Sequence, residues 1–150
     1  FGLRTWTRLS GHTLRTTTRP LSLFISGLGS LTLISLRVPF PPTTNNLFLN
    51  VGKRRVPTKA YRAWRELAAV QIDHQMIGQT PITGLYHAVI ELQRPDKRGR
   101  DVSNYAKAIE DSLVLCRVIR DDSDCLSLMM KWGDRKPGKG AEAIIEIEAA

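Results

Sequence analysis

The sequence predicts an α+β domain: a βαβαββ order with a small hairpin inserted early, and two helices packed on one mixed sheet. Three observations lead there. Four segments alternate apolar and polar residues as strands do. Two others repeat apolar residues at helical spacing, and Pro, Gly and Asn cluster between the segments. The length, 150 residues with 42% hydrophobic and 24% charged side chains, is that of one domain around one core.

The first strand is read in SLTLISLRVPF (30–40), where Thr32, Ile34, Leu36 and Val38 form a mostly apolar, partly β-branched face. FPPTTNN (40–46) ends it, because proline denies the ladder a donor and asparagine suits turns. LFLNVGKRRVPT (47–58) fits a hairpin turning at Gly52, with Lys53, Arg54 and Arg55 on its return arm. A helix is expected over about 58–77, capped by Thr58 and stopped by Gly78, with Trp64, Leu67, Ala68 and Ile72 facing the core. GLYHAVIEL (84–92) reads as a strand with Tyr86, Ala88, Ile90 and Leu92 on one face, and RPDKRGR (94–100) as a basic loop.

The second helix is expected over about 102–116. Val102, Tyr105, Ala106, Ile109, Leu113 and Cys116 form its apolar stripe; Ser103, Asn104, Lys107, Glu110 and Asp111 form its polar face. RVIRDDSD (117–124) is an acidic turn. CLSLMMKW (125–132) alternates Leu126, Leu128, Met130 and Trp132 as a strand, and GDRKPGKG (133–140) is a loop. AEAIIEIE (141–148) is the last strand, with Ala143, Ile145 and Ile147 inward. Residues 1–30, rich in Arg, Thr, Ser and Leu and free of acids, have the composition of a targeting peptide, a disordered extension or translated sequence upstream of a true start. A disordered or non-native extension is the expectation, which places the domain at 31–150.

Charge is distributed unevenly. The net charge is +8, and residues 1–65 hold eleven Lys or Arg and no acid, while all 14 Asp and Glu follow from Glu66 onward. A basic front and a mixed-charge back suit a polyanionic partner, with carboxylates kept for particular positions; a basic protein with no specific partner has the same composition. No run of about 18 apolar residues exists, so no membrane span is expected. Cys116 and Cys125 form neither a disulfide framework nor a zinc motif, which fits a reduced, intracellular setting. His12, His74 and His87 are scattered.

Two acidic groups could carry chemistry: Asp101 at the start of the second helix, and Asp121, Asp122 and Asp124 after it. A helix of that length spans about 22 Å, so these acids meet only if the chain folds back or a second subunit supplies one group. Converging carboxylates with room for water suit Mg²⁺, and such metals activate water for phosphodiester cleavage. Lys107 could stabilise charge developing on a phosphate, with Arg94, Lys97, Arg98 and Arg100 holding a nucleic-acid backbone. Taken singly, each feature has a plainer reading: Asp101 as a helix cap, DDSD as a solvated turn, Lys107 and Asp111 as a surface i,i+4 pair. DDSD lacks the glycine and distal glutamate of a calcium loop.

VPFPPTTNN (38–46), the basic hairpin, RDVSNYAK (100–107) and the pair Asp121–Asp122 together resemble the RusA Holliday-junction resolvases, over about 33–148 and in register without a gap. The resemblance implies a homodimer acting on four-way DNA junctions, with Mg²⁺ or Mn²⁺ supporting paired symmetric nicks. It implies a role in recombination and repair in the cytoplasm of a bacterial or phage-infected cell, at the nucleoid. It assigns Asp101 and Asp122 as the metal-binding carboxylates, Lys107 as the catalytic lysine, and Asn104 and Arg100 as motif residues on the DNA. One position departs. Ser103 stands where the family pattern has a second acid, and a hydroxyl can ligate Mg²⁺ weakly or carry a water but brings no charge. Asp121 is the expected substitute ligand. Asp111 lies two turns beyond Ser103, about 12 Å along the helix, and is a poor direct replacement. A junction-binding protein with a weakened or inactive site is the alternative.

Overall fold

Alternation decides the main sheet. In β1 (Leu33–Pro39) Ile34, Leu36 and Val38 are buried while Leu33, Ser35 and Arg37 are exposed. β4 (Tyr86–Leu92) buries Tyr86, Ala88, Ile90 and Leu92, and β6 (Glu142–Ala149) buries Ala143, Ile145 and Ile147. The registers stack these residues in rows across the sheet: Ile34–Ile147–Ala88, Leu36–Ile145–Ile90 and Val38–Ala143–Leu92. The strand order is β1-β6-β4-β5, with β5 at Cys125–Trp132. Only the β4–β5 pair is parallel, because a helix carries the crossover between those strands; the β1–β6 and β4–β6 pairs are antiparallel. The sheet is mixed, as expected. The computed structural model describes residues 32–150; the expectations for residues 1–30, and the first residues of the predicted strand, lie outside the described residues.

Between β1 and the first helix, β2 (Phe48–Val51) and β3 (Arg54–Pro57) form a separate two-stranded ribbon that turns at Gly52, whose φ is +61°. Helix α1 (Lys59–Gln75) starts where Thr58 accepts a hydrogen bond from the Tyr61 amide at 3.1 Å. Its buried face is Tyr61, Trp64, Ala68 and Ile72. Leu67, expected inward, is exposed, because the stripe that meets the sheet runs at steps of three, four and four residues and leaves position 67 outside it.

The predicted second helix is two pieces: a 3₁₀ turn at Val102–Tyr105 and α2 at Ala106–Leu115. Ala108 and Ser112, absent from the expected stripe, are buried, and Ala106 is only half-buried. The tighter 3₁₀ turn before Ala106 shifts the angular phase of the residues beyond it. On β5 the expected alternation is present in register, with Leu128, Met130 and Trp132 opposite Ala88, Ile90 and Leu92. Leu126 and Leu128 are nevertheless exposed and Met130 and Trp132 only half-buried, since β5 is, among the described residues, an edge strand.

The end of α2 aims the chain back toward the site. Arg117 has φ +57°, its amide donates to Val114 at 3.0 Å, and the Val118 amide donates to Leu113 at 2.9 Å. This pair of bonds is the left-handed helix ending that usually carries glycine. Val118 and Ile119 then enter the core and bring Asp121 and Asp122 alongside α2. Replacing Arg117 by Gly removes the Cβ penalty of that conformation, partly offset by glycine's unfolded-state entropy. Arg117→Gly is expected to raise stability by about 0.5–1 kcal/mol, read as a Tm increase of roughly 2–3 °C.

Candidate active site

A cleft of about 400 Å³ opens between the ribbon, α1, α2 and the turn before β5, lined by Phe48, Tyr61, Arg65, Lys107, Asp111, Val114, Leu115, Asp121 and Asp122. Lys107 is its centre. The Lys107 ammonium lies 2.8 Å from Asp111 Oδ1 and 3.2 Å from Asp122 Oδ2, so one cation joins a carboxylate of the helix to a carboxylate of the returning turn. The hydrogen bond to Asp111 is the main reason its pKa stands above the usual lysine range. Partial burial opposes that rise and the bond to Asp122 adds to it. Tyr61, fifty residues earlier, donates to Asp111 Oδ2 at 3.1 Å. Burial first, and then the Asp111 charge, push the Tyr61 phenol up to about 12, which keeps it a donor. Glu110 precedes Asp111 on α2 and is half-buried. Burial raises its pKa, and the charge of Asp122 raises it further.

Asp101 and Asp121 are built alike. Asp101 Oδ1 accepts from the Ser103 amide at 3.0 Å and from the Ser103 hydroxyl at 2.8 Å, capping the 3₁₀ turn. Asp121 Oδ1 accepts the same two bonds from Ser123, at 2.8 and 2.5 Å, and caps the 3₁₀ turn Asp122–Asp124. The Ser123 hydroxyl and then its amide hold the Asp121 carboxyl below its ordinary pKa. Asp124, the third acid of the turn, is buried and paired with Arg120 through bonds of 2.9 and 2.7 Å, which is a structural role. Of the sequence-predicted acids, the fold therefore brings Asp121 and Asp122 to the cleft with Lys107, and leaves Asp101 outside its lining. Asp111 joins them, although it is remote from Ser103 along the helix. Among the described residues no group of three or more His, Cys, Asp or Glu side chains stands ready to hold a metal ion.

The Ser103 hydroxyl is already bonded to Asp101. An Asp at position 103 would replace that donor by a second negative charge beside the first. Ser103→Asp is expected to cost about 1 kcal/mol in EDTA, or roughly 3 °C in Tm, through the lost hydrogen bond. A divalent cation binding between the two acids would restore the loss, as a thermal melt with and without Mg²⁺ would read.

The basic residues divide into held and free. Arg100 makes a two-bond pair with Asp96, and these bonds hold the Asp96 carboxyl far below its ordinary range. Arg94 lies over Trp132, 4.4 Å from the ring centroid. Lys97 and Arg98 are exposed, as are Lys53, Arg54 and Arg55, although Arg55 also lies over the Phe48 ring at 4.6 Å. Asn104 is half-buried, and its carbonyl accepts from Thr44 Oγ1 at 2.9 Å, which ties the PPTTNN turn to the start of the 3₁₀ turn. The loop roots are packed closely. A Cβ on Gly133 would fall 2.0 Å from the Gln93 amide nitrogen, so only glycine fits there without displacing that buried side chain.

Sequence reasoning gives no role to Tyr61, Arg65 or Glu110. Tyr61 and Arg65 lie one turn apart on α1, and neither carries a motif. Their signal is the pairing of helix faces, which appears only once α1 and α2 meet.

No helix among the described residues is long and apolar enough to cross a membrane. No curated protein sequence matches the chain. The family described as endodeoxyribonuclease RusA matches residues 39–148, which take in every element from the end of β1 to β6 and every residue of the cleft. With most of its length inside that match, the chain belongs to the RusA endodeoxyribonuclease family.

Proposed function

We propose that this protein is a Mg²⁺-dependent endonuclease that resolves four-way DNA junctions by paired symmetric nicks, in recombination and repair in a bacterial or phage-infected cell. The observation that carries the reading is the Lys107 ammonium set between Asp111 and Asp122 on the wall of an open cleft, within the family-matched segment. The donors suit Mg²⁺, a hard cation commonly bound through one or two carboxylates, with waters and substrate phosphate completing its shell. Asp122 and Asp121 would hold the ion from the cleft, and Asp101, which lies outside that lining, would have to join them, with Ser103 contributing through its bond to Asp101 or a carried water. When bound, the ion lowers the pKa of water and neutralises the leaving oxygen; Mn²⁺ substitutes for it.

The chain's own side chains supply the rest. Lys107 remains protonated and faces the scissile phosphate, where its charge counts most as negative charge builds on the equatorial oxygens. Asp111, held by Tyr61, ties Lys107 to α2 independently of Asp122, so Lys107 would keep one anchor if Asp122 served as a metal ligand. Lys53, Arg54, Arg55, Lys97 and Arg98, all exposed, contact the backbone, and Arg94, Arg100 and Asn104 flank them, Arg94 over Trp132 and Arg100 paired with Asp96. A homodimer fits this work, because each protomer can cut one of two equivalent strands. β5 favours one: it is an edge strand among the described residues, with Leu126, Leu128 and Met129 exposed along it.

A second reading, junction binding without cutting, is favoured by the Ser103 hydroxyl turned to Asp101 and by the lack of a three-acid group among the described residues. A supercoiled plasmid that extrudes a cruciform separates the two. Paired nicks in one binding event give linear plasmid; uncoordinated nicking gives open circles; a binding protein leaves the supercoiled form intact and shifts its mobility.

A further inference from the structure

The β2–β3 ribbon has two unlike faces. Cross-strand partners share a face, so the register Leu49↔Val56 and Val51↔Arg54 puts Leu49, Val51, Val56 and Arg54 on one side. Phe48, Asn50, Arg55 and Pro57 lie on the other. The second side is the inner one: Phe48 packs edge-on against Tyr61 at 5.6 Å and lines the cleft. The first side therefore looks away from α1. Its apolar residues remain uncovered, with Leu49 59%, Val51 61% and Val56 38% exposed. Three aliphatic side chains at the tip of a narrow ribbon are costly to leave in water without a partner.

Charge selects the partner. Lys53, Arg54 and Arg55 surround the tip, and Lys59, Arg62 and Arg65 follow on α1, with no acid before Glu66. A second copy docking here about a two-fold axis would bring two like-charged tips together. A nucleic acid offers phosphates for the cations and base faces for the aliphatic groups, and base faces are accessible where stacking is interrupted. We infer that the ribbon is a wedge: Leu49, Val51 and Val56 press on unstacked bases at the branch point while Lys53 and Arg54 grip the flanking phosphates. The inference rests on the junction-cutting reading and adds to it the feature by which the protein would distinguish a branch from continuous duplex. Phe48, on the opposite face of the same ribbon, lines the cleft, so one ribbon borders both the wedge face and the cleft that holds Lys107 and Asp122.

The test uses a four-way junction with 2-aminopurine at the crossover and a linear duplex of the same arms, in EDTA. Fluorescence reports unstacking and anisotropy reports binding. The parent protein is expected to raise 2-aminopurine fluorescence on the junction. Leu49→Ser and the milder Leu49→Ala are expected to lose most of that rise and roughly tenfold in junction affinity, with duplex affinity little changed. Position 49 is solvent-facing, and a thermal melt of each variant verifies folding. Equal fluorescence rises for parent and both folded variants would overturn the wedge while leaving the endonuclease reading intact. A variant that changes oligomeric state instead would show the face to be an interface between copies, which also overturns it. A parent that shows no preference for the junction removes the reading beneath the inference, and the inference with it.

Discussion

Asp122→Asn is expected to abolish cleavage, by at least about 10³-fold, while junction binding survives. Asp122 is the one family-motif carboxylate that both lines the cleft and touches Lys107. The amide keeps the side chain's shape but cannot supply the charge that a hard divalent cation needs, and several kcal/mol of phosphate activation go with it. The fold has little stake in the change. The Asp122 side chain is 41% exposed, and its bond to Lys107 is one of two, so Asp111 still neutralises the lysine. The Glu110 carboxyl, raised first by burial and then by the Asp122 charge, would fall back toward its ordinary range and ionise more readily. Binding should hold or tighten slightly, because a negative charge facing DNA has been removed. The measurement is single-turnover cleavage of a labelled junction beside a gel shift in EDTA. Persistent cutting by the folded variant would place the chemistry elsewhere.

Removal of the lysine has the second-largest effect. Lys107→Met keeps the aliphatic stem and deletes the charge, and it is expected to lower the cleavage rate by about 10²–10³-fold, the size of losing one positioned charge donor. Its signature differs from that of Asp122→Asn. Two carboxylates that shared a cation now face each other without one, so the apparent affinity for Mg²⁺ should rise even as the rate falls. The salt dependence of junction binding should change by about one counterion at most. Stability should move by less than about 1 kcal/mol, since the Lys107 side chain is 48% exposed and pairs this open contribute little. A Mg²⁺ titration of the single-turnover rate reads both quantities. An unchanged rate with normal metal dependence would demote Lys107 to a surface ion pair.

These two residues also show how far the sequence can be read. The strands β1, β4 and β6 are legible because each has one buried and one open face, and alternation follows directly from that asymmetry. β5 is legible as a strand but not in its exposure: position in the sheet decides that, and an edge strand keeps its pattern after losing its cover. The helix at 102–116 is legible as one helical segment, while its 3₁₀ start depends on Asp101 and Ser103 closing a local turn. At the site, Asp101, Lys107, Asp121 and Asp122 are expected together; Lys107, Asp121 and Asp122 line one cleft and Asp101 lies outside its lining. The distance of Asp111 from Ser103 bears on replacing the acid at position 103 and gives no sign of its pairing with Lys107. What matters is the reversal at Arg117, which carries Asp122 back along α2 until one lysine reaches both acids. Tyr61 has no signal in the sequence at all, since its bond to Asp111 joins residues fifty positions apart. Arg100 is legible as a basic residue but its ion pair is not, because the pairing with Asp96 depends on the shape of the loop.

The most direct test of the central claim takes the purified protein with a labelled four-way junction and, separately, a linear duplex of the same arms, in Mg²⁺, Mn²⁺ or EDTA. The expected result is nicks at symmetric positions on two opposed strands of the junction, in either metal, with none in EDTA and none on the duplex. Tight junction binding without cleavage in either metal would contradict the nuclease claim and leave a junction-binding protein; equal treatment of junction and duplex would contradict the assignment of the substrate.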